Sequence, residues 1–351
     1  MRSAHSTSRP DAPAVSVLVV NYLAGPHLEN CLRALLGQTM ADFEVIVVDN
    51  GSSDGSLIPA MAAVAGDSRF VFDSPGRNVG FAVGNNRAAA LSRGVWLATL
   101  NPDAFAAPDW LERLLEATAR HPDTAMFGST QRDAGDLGRL DGAGDNYFFA
   151  GVPWRGGFGW PALALPPEGE VFGPCAAAAF YRHDAFTAVG GFDESFFCYV
   201  EDVDLAFRLR LAGHRCIQVV GAEVRHVGGA SSGSSTSDFA RYHGLRNLVW
   251  CFVKNMPGPL FWSLLPFHVG GVALLVVKAA LRGQGRTAFR AIWDALAQLP
   301  RIWARRRQVQ AARRISSVAV ARSLVWSPFS YLRRAPVVLA NARSSRNRIY
   351  S

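Results

Sequence analysis

At 351 residues with 49% hydrophobic side chains, the chain is long enough for one large domain with an appendage and too apolar to be disordered. The net charge of +8 hides an asymmetry: residues 282–351 hold fifteen arginines, no lysine and one acid, a net +14 that leaves −6 for the remainder. Five cysteines, odd in number and without a CxxC pair, argue against a disulfide framework and for a reducing compartment. Residues 1–13 are polar and expected to be flexible. The next apolar run, 15–20, is too short for a signal-peptide core, so the chain is not expected to be secreted.

In chain order, VSVLVV (15–20) is a β-branched run that predicts a buried parallel strand, and Pro26 opens a helix reaching about Leu36. FEVIVVD (43–49) predicts a second strand, followed by the turn cluster NGSSDGS, a helix through Ala65 and a short strand at 70–72. GFAVGNNRAAALSRG predicts a third helix and VWLATL (95–100) a fourth strand. This alternation predicts an α/β fold, an open and mostly parallel sheet with helices on both faces. Such sheets bind ligands beyond the carboxyl ends of their strands. There the chain places Asn21 and Tyr22, Asp49 and Asn50, Arg77 and Asn78, and Asn101 and Asp103. Four polar strand ends suit an anionic ligand such as a nucleotide, while the lack of a GxGxxG or P-loop argues against a dinucleotide fold or an ordinary NTPase.

From 124 to 174 the periodicity fades, and Gly, Asp and aromatic residues predict irregular hairpins and loops, which on their own read as a structural rim. Residues 175–182 read as a strand of small side chains. The stretch 190–226 then runs from aromatic residues into Glu201, Asp202 and Asp204, in the first turn of a helix with Leu205, Leu209 and Ala212 on one face and its end at Gly213. Carboxylates there are favoured as caps by the helix dipole, and are equally suited to act as a general base beside an aromatic wall. Two short strands follow, 216–220 and one ending at His226, which return an imidazole towards the acids. After a Gly/Ser linker, a helix containing Arg246 and Asn247 leads into residues 255–277, which carry no charge. At ~1.5 Å per residue that segment matches a ~30 Å hydrocarbon core, although Pro266, His268, Gly270 and Gly271 interrupt it.

The segments VVNYLAGPHLENCLRALLGQT, VVDNGSSDGS, NVGFAVGNN, LNPDA and GGFDESFFCYVEDVDLAFRLRLAGH, with the following Arg-His, together resemble family 2 glycosyltransferases of the GT-A fold. The resemblance covers about 15–229 and is greatest to the rhamnosyltransferase-like branch that builds bacterial surface polysaccharides. It implies a GT-A domain at 14–230, a linker and helix at 231–254, and an apolar segment with an Arg-rich helical tail at 255–351. It implies inverting transfer from a nucleoside diphosphate sugar, with dTDP-rhamnose as the expected donor, to a cell-surface polysaccharide or polyprenyl-linked glycan. Asp49 would accept the imide N–H of uracil or thymine, Asp103 would hold a divalent metal (Mg or Mn), and His226 would be a further metal or phosphate contact. Asp202 would be the base, Glu201 would lie on the substrate side, and Asp204 would orient the base or cap the helix. Asn21, Asn50, Arg77, Asn78 and Asn101 would complete the substrate site. Asn101 stands where the family's metal motif has its first acid, a weaker ligand that is similar to the form in the rhamnosyltransferase-like branch.

A single span would send the basic tail outward, against the positive-inside tendency, because the donor is cytosolic. The expectation is therefore a peripheral or monotopic protein at the cytoplasmic face, with an in-plane or re-entrant apolar segment and arginines on anionic lipid. The tail has few aromatics, so nucleic acid is not an expected partner. The competing reading is a catalytically silent nucleotide-sugar-binding or scaffold protein at the membrane.

Overall fold

The computed structural model describes residues 12–229 and 237–339. Most of the Gly/Ser linker, the first eleven residues and the last twelve lie outside the described residues. Two strands buried along their whole length seed the sheet: β1 (Val15–Asn21) and β2 (Phe43–Asp49) pair in parallel, with Val15 opposite Phe43 and Asn21 opposite Asp49. β3 (Phe70–Asp73) extends β2, and β4 (Trp96–Leu100) lies along β1, both parallel. Side chains alternate across a strand. Val15, Val17 and Val19 therefore enter one core with α1 (His27–Leu36), α2 (Leu57–Ala63) and α4 (Trp110–Arg120). Leu18, Ile46 and Val48 enter the opposite core with α3 (Phe81–Leu91), α5 (His183–Ala188) and α6 (Glu201–Leu211).

The rest of the sheet is mixed. β11 (Ala178–Arg182) enters antiparallel between β4 and β6 (Met126–Asp133), and β12 (Cys216–His226) runs parallel to β6. β5 (Ala104–Ala106), β7 (Leu140–Ala143) and β10 (Gly169–Val171) add antiparallel pairings, while β8 (Asp145–Tyr147) and β9 (Pro153–Arg155) form a separate hairpin. Two expectations are corrected. The supposedly irregular 124–174 stretch contains β6, a central strand. It tolerates buried polar side chains because Ser129 and Thr130 are satisfied: Trp110 Nε1 donates to Ser129 Oγ at 2.8 Å, and Thr130 Oγ1 donates to the Val220 carbonyl at 3.1 Å. The two short strands before His226 are one strand, with an irregularity between Val219 and Glu223.

Among the described residues six helices follow: α7 (Asp238–Asn255), α8 (Gly258–Ala280), α9 (Gly285–Ala297), α10 (Leu299–Ala311), α11 (Ser317–Ser323) and α12 (Pro328–Leu332). α8 is continuous through Pro266, which stands on the exposed side of the helix. These helices share a core with the body: Phe207 and Leu211 of α6 pack with Trp250 and Phe252 of α7, Leu264 of α8 and Ile302 of α10.

That junction is held by buried charge. Lys254, 1% exposed, bonds Asp204 at 2.7 Å and Asp193 at 2.5 Å; Arg305 of α10 also pairs with Asp193, and Arg208 with Asp204 at 2.8 Å. Lys254→Met leaves Asp204 with Arg208 and Asp193 with Arg305 but removes the cation the two carboxylates share, and is expected to cost about 3 kcal/mol in urea unfolding. Burial alone would raise the Asp193 pKa, but Lys254 and Arg305 outweigh it and hold the carboxyl well below its ordinary range. A depressed folded pKa adds stability that is present above the ordinary value of ~3.9 and is lost as pH falls through the folded one. The urea midpoint should therefore fall below about pH 4 in the wild type, and less steeply in Lys254→Met.

Candidate active site

The strand ends open onto a cleft of about 280 Å³ whose lining includes Asn50, Asn78, Asn101, Asp103, Glu201 and Asp202. The structure thus brings six of the expected residues to one surface. The other five are placed differently. Asn21 is fully buried and spends its Nδ2 on Asp49 (2.8 Å), Ser52 (3.0 Å) and Ser56 (3.1 Å), so it positions Asp49 and does not face a substrate. Asp49 accepts a second hydrogen bond from the Ser52 amide at 3.1 Å. Arg77 is exposed and outside the lining. Asp204 neither caps the helix nor orients Asp202: it is fully buried in the Lys254 hub. His226 lies behind Asp103, 3% exposed.

The acids are presented by a strained loop. Phe197, Tyr199 and Val200 all have φ between 66° and 69°, a region that bulky residues rarely occupy and that persists only when the surroundings enforce it. α7 does so. Asn247 Nδ2 donates to the carbonyls of Phe196 (3.0 Å), Cys198 (2.9 Å) and Tyr199 (2.7 Å), and Arg246 donates to Phe196 O at 3.0 Å. On the other side the Ala82 amide donates to Phe197 O, and Gly80 leaves room for the ring, since a Cβ there would lie 2.6 Å from Phe197 Cδ2. Asn247→Ala is expected to lower kcat roughly tenfold or more while circular dichroism and donor affinity hold, because it loosens the base without touching the donor.

Asp202 accepts the amides of Ala176 (3.1 Å) and Val203 (2.8 Å). Desolvation raises its pKa, opposed by those amides and by Arg155. Glu201 is 6% exposed and its Oε2 has no partner; burial and then the charge of Asp202 push its pKa well above the carboxylate range. Of the two, Asp202 is the better placed to be the anion. His226 Nδ1 donates to Asp141 at 2.7 Å, and its Nε2 lies 3.3 Å from both Asp103 Oδ1 and Asn101 Nδ2. Burial lowers the His226 pKa, but the hydrogen bonds to Asp103 and Asp141 outweigh it and the net shift is upward. A carboxylate behind an imidazole is the usual support for a metal ligand. The Asp103 carboxylate and the Asn101 amide oxygen on the cleft fit a hard divalent cation, which His226 would join only as the neutral imidazole.

A second grouping, Asp145, Cys175 and Asp202, has ligand atoms within 4.8 Å of one another. It fits poorly. A soft thiol suits a hard, oxygen-seeking divalent cation less well than the carboxylate and amide oxygens at Asp103 and Asn101.

The family model for glycosyl transferase family 2 matches residues 16–190. An N-acetylglucosaminyl-diphospho-decaprenol L-rhamnosyltransferase of Mycobacterium tuberculosis is 30% identical over 301 residues, covering 77% of this chain and 95% of the relative. The chain belongs to glycosyl transferase family 2. Its relatives place this glycosyltransferase in the rhamnosyltransferase-like branch. A chondroitin synthase of Escherichia coli is 30% identical over 135 residues, 38% of this chain and 20% of that one. Two solved structures share the GT-A-like fold. One is a mannosyltransferase from Pyrobaculum calidifontis in complex with GDP-Man and Mn2+ (TM-score 0.53, 18% identity, 88% of this chain and 86% of that one). The other is GalNAc-T7 with UDP, GalNAc and Mn2+ (TM-score 0.57, 14% identity, 70% and 48%).

Sequence reasoning missed Arg155 in this glycosyltransferase. Among the described residues lining the cleft it is the one arginine or lysine, and it bonds Asp141 at 2.5 Å. Burial opposes its charge, but the guanidinium stays protonated beside the Asp141 carboxylate. Arg155 lies in the stretch without periodicity. The available signal was the Asp-Gly-Ala-Gly-Asp run at 141–145, two acids spaced by glycines before a lone arginine.

Proposed function

We propose that the protein is an inverting glycosyltransferase that moves a sugar, rhamnose from dTDP-rhamnose, onto a lipid-linked glycan at a membrane surface. The observation that carries this is that one cleft is lined by the half-buried Asp202 carboxylate together with Arg155 and Asp103. Neighbouring strands are ~4.8 Å apart, so the ends of β2 and β4, on either side of β1, lie about 10 Å apart. That distance suits a nucleoside diphosphate with its base at Asp49 and its diphosphate at Asn101 and Asp103. Asp202 takes the proton from the acceptor hydroxyl, whose oxygen attacks the anomeric carbon on the face opposite the departing diphosphate. Arg155 neutralises charge that grows on the leaving group. A divalent cation, held by Asp103 with Asn101 and His226, would supply further neutralisation there.

The acceptor class rests on the M. tuberculosis relative, whose substrate is decaprenol-linked. Membrane seating rests on the C-terminal helices. α8 has a mean hydropathy of 2.0 and is long and apolar enough to span. Yet its buried residues Phe261, Leu264, His268, Val272 and Ala279 run from the first turn to the last against the body, so in-plane seating fits better than a perpendicular span. Salt-sensitive flotation with anionic vesicles tests this. The donor is tested by nucleoside diphosphate release with a panel of dTDP-, UDP- and GDP-sugars; preference for a donor other than dTDP-rhamnose would refute the sugar assignment and leave the reaction class standing.

A further inference from the structure

We infer that the groove between α8, α9 and α10 seats the isoprenoid chain of the acceptor, an inference that rests on the lipid-linked acceptor class proposed above. The groove holds about 1010 Å³, at the top of the ~300–1,000 Å³ range of compact-ligand sites. Val253 and Val272 are among its buried lining, and Trp262, Phe289, Leu296 and Trp303 are among its walls. Its ionisable groups are Arg307 and His268. His268 is stacked on Phe252 at 4.0 Å with Nδ1 bonded to the Ala150 carbonyl, and burial lowers its pKa to about 4, so it is neutral and compatible with hydrocarbon.

α9 is inverted relative to a water-facing helix. Its small residues Ala288, Ala291 and Ala295 are fully buried, whereas Phe289, Trp293 and Leu296 are 68%, 65% and 52% exposed. A helix in water turns its large apolar residues inward. Arg282, Arg286, Arg290 and Arg307 are exposed on the same segment, and Asp294 is the one acid from 282 to 351. An apolar groove with Arg307 in its lining and exposed arginines on the adjoining helix complements a hydrocarbon chain that ends in a diphosphate. A two-fold dimer through this face would oppose those arginines to their own copies. A flat or convex face would suffice for bulk bilayer, whereas a concave groove of about 1010 Å³ can take a single chain.

The groove also stands in the right relation to the chemistry. α7 lines it with Val249 and Val253, and the same helix holds the acid-bearing loop with Arg246 and Asn247. One helix, about 10–12 Å across, thus separates the chain's seat from the loop that walls the cleft.

The test uses the full-length protein with N-acetylglucosaminyl diphosphate on a long polyprenyl chain and on a single isoprene unit. The wild type should favour the long chain in kcat/KM by roughly tenfold or more. Ala273→Trp and Ala304→Trp, which fill the groove from opposite walls, should remove that preference through KM, while short-chain transfer, donor hydrolysis and vesicle flotation stay unchanged. A diazirine-bearing polyprenyl diphosphate should crosslink to α8–α10 in the wild type and not in the variants. Retained preference in both variants overturns the inference. So does loss of flotation in step with loss of preference, which would make the groove a bilayer seat, or a change from dimer to monomer, which would make it a subunit interface. If neither acceptor is glycosylated but the crosslink forms, the groove stands and the head-group reading falls; if the crosslink is absent, the groove falls whatever the transfer result.

Discussion

Asp202→Asn is expected to bind donor like the wild type and to transfer sugar more slowly by a factor on the order of 10² to 10⁴, the range for loss of a general base. Asparagine keeps one oxygen for the Ala176 or Val203 amide, so the accompanying stability loss should be about 1 kcal/mol and separable by melting temperature. Glu201→Gln is the contrast. Glu201 is buried, its pKa is driven upward, and a neutral amide replaces a neutral acid, so turnover should change little. The pH profile gives a further check. Burial raises the Asp202 pKa, so activity should climb with pH through a value above the usual carboxylate range, and Asp202→Asn should lack that limb. Near-normal transfer by Asp202→Asn with a dead Glu201→Gln would move the base by one residue. If neither change mattered, the helix would not be catalytic.

Asp103→Ala and removal of divalent metal are each expected to lower turnover by a factor on the order of 10³, because a Lewis acid supplies several kcal/mol and each ~1.4 kcal/mol is tenfold. A readout independent of activity is Mn2+ binding by titration calorimetry in the presence of nucleoside diphosphate, which the wild type should show and Asp103→Ala should lose. Asp141→Asn should weaken it less, since Asp141 acts through His226 Nδ1. Full activity in chelator would remove the metal and leave Arg155, rather than Arg77 or His226, as the cation facing the leaving group.

Much was legible because it rests on local pattern. The β-branched runs at 15–20 and 43–49 are buried strands, since few other environments suit such side chains, and register then sets Asn21 beside Asp49. The acids at 201 and 202 open a helix as the Leu205 and Leu209 spacing indicates. In the same way, ordered motifs from 15 to 229 carry the family. Other features depended on partners distant in sequence. β6 is polar and shows no alternation, because its polar groups find partners only once Trp110 and β12 pack on it. The role of Asp204 was set by Lys254, fifty residues on, and that of Asn247 by three carbonyls of a strained loop. Composition and spacing determined the strands, the family and the acid pair, for these follow from nearest-neighbour sterics and hydrophobic period. Which acid is buried in a salt bridge, which cation faces the cleft, and that the Arg-rich helices pack into the body were decided by tertiary structure alone, because burial and charge pairing depend on what the folded chain places opposite each side chain.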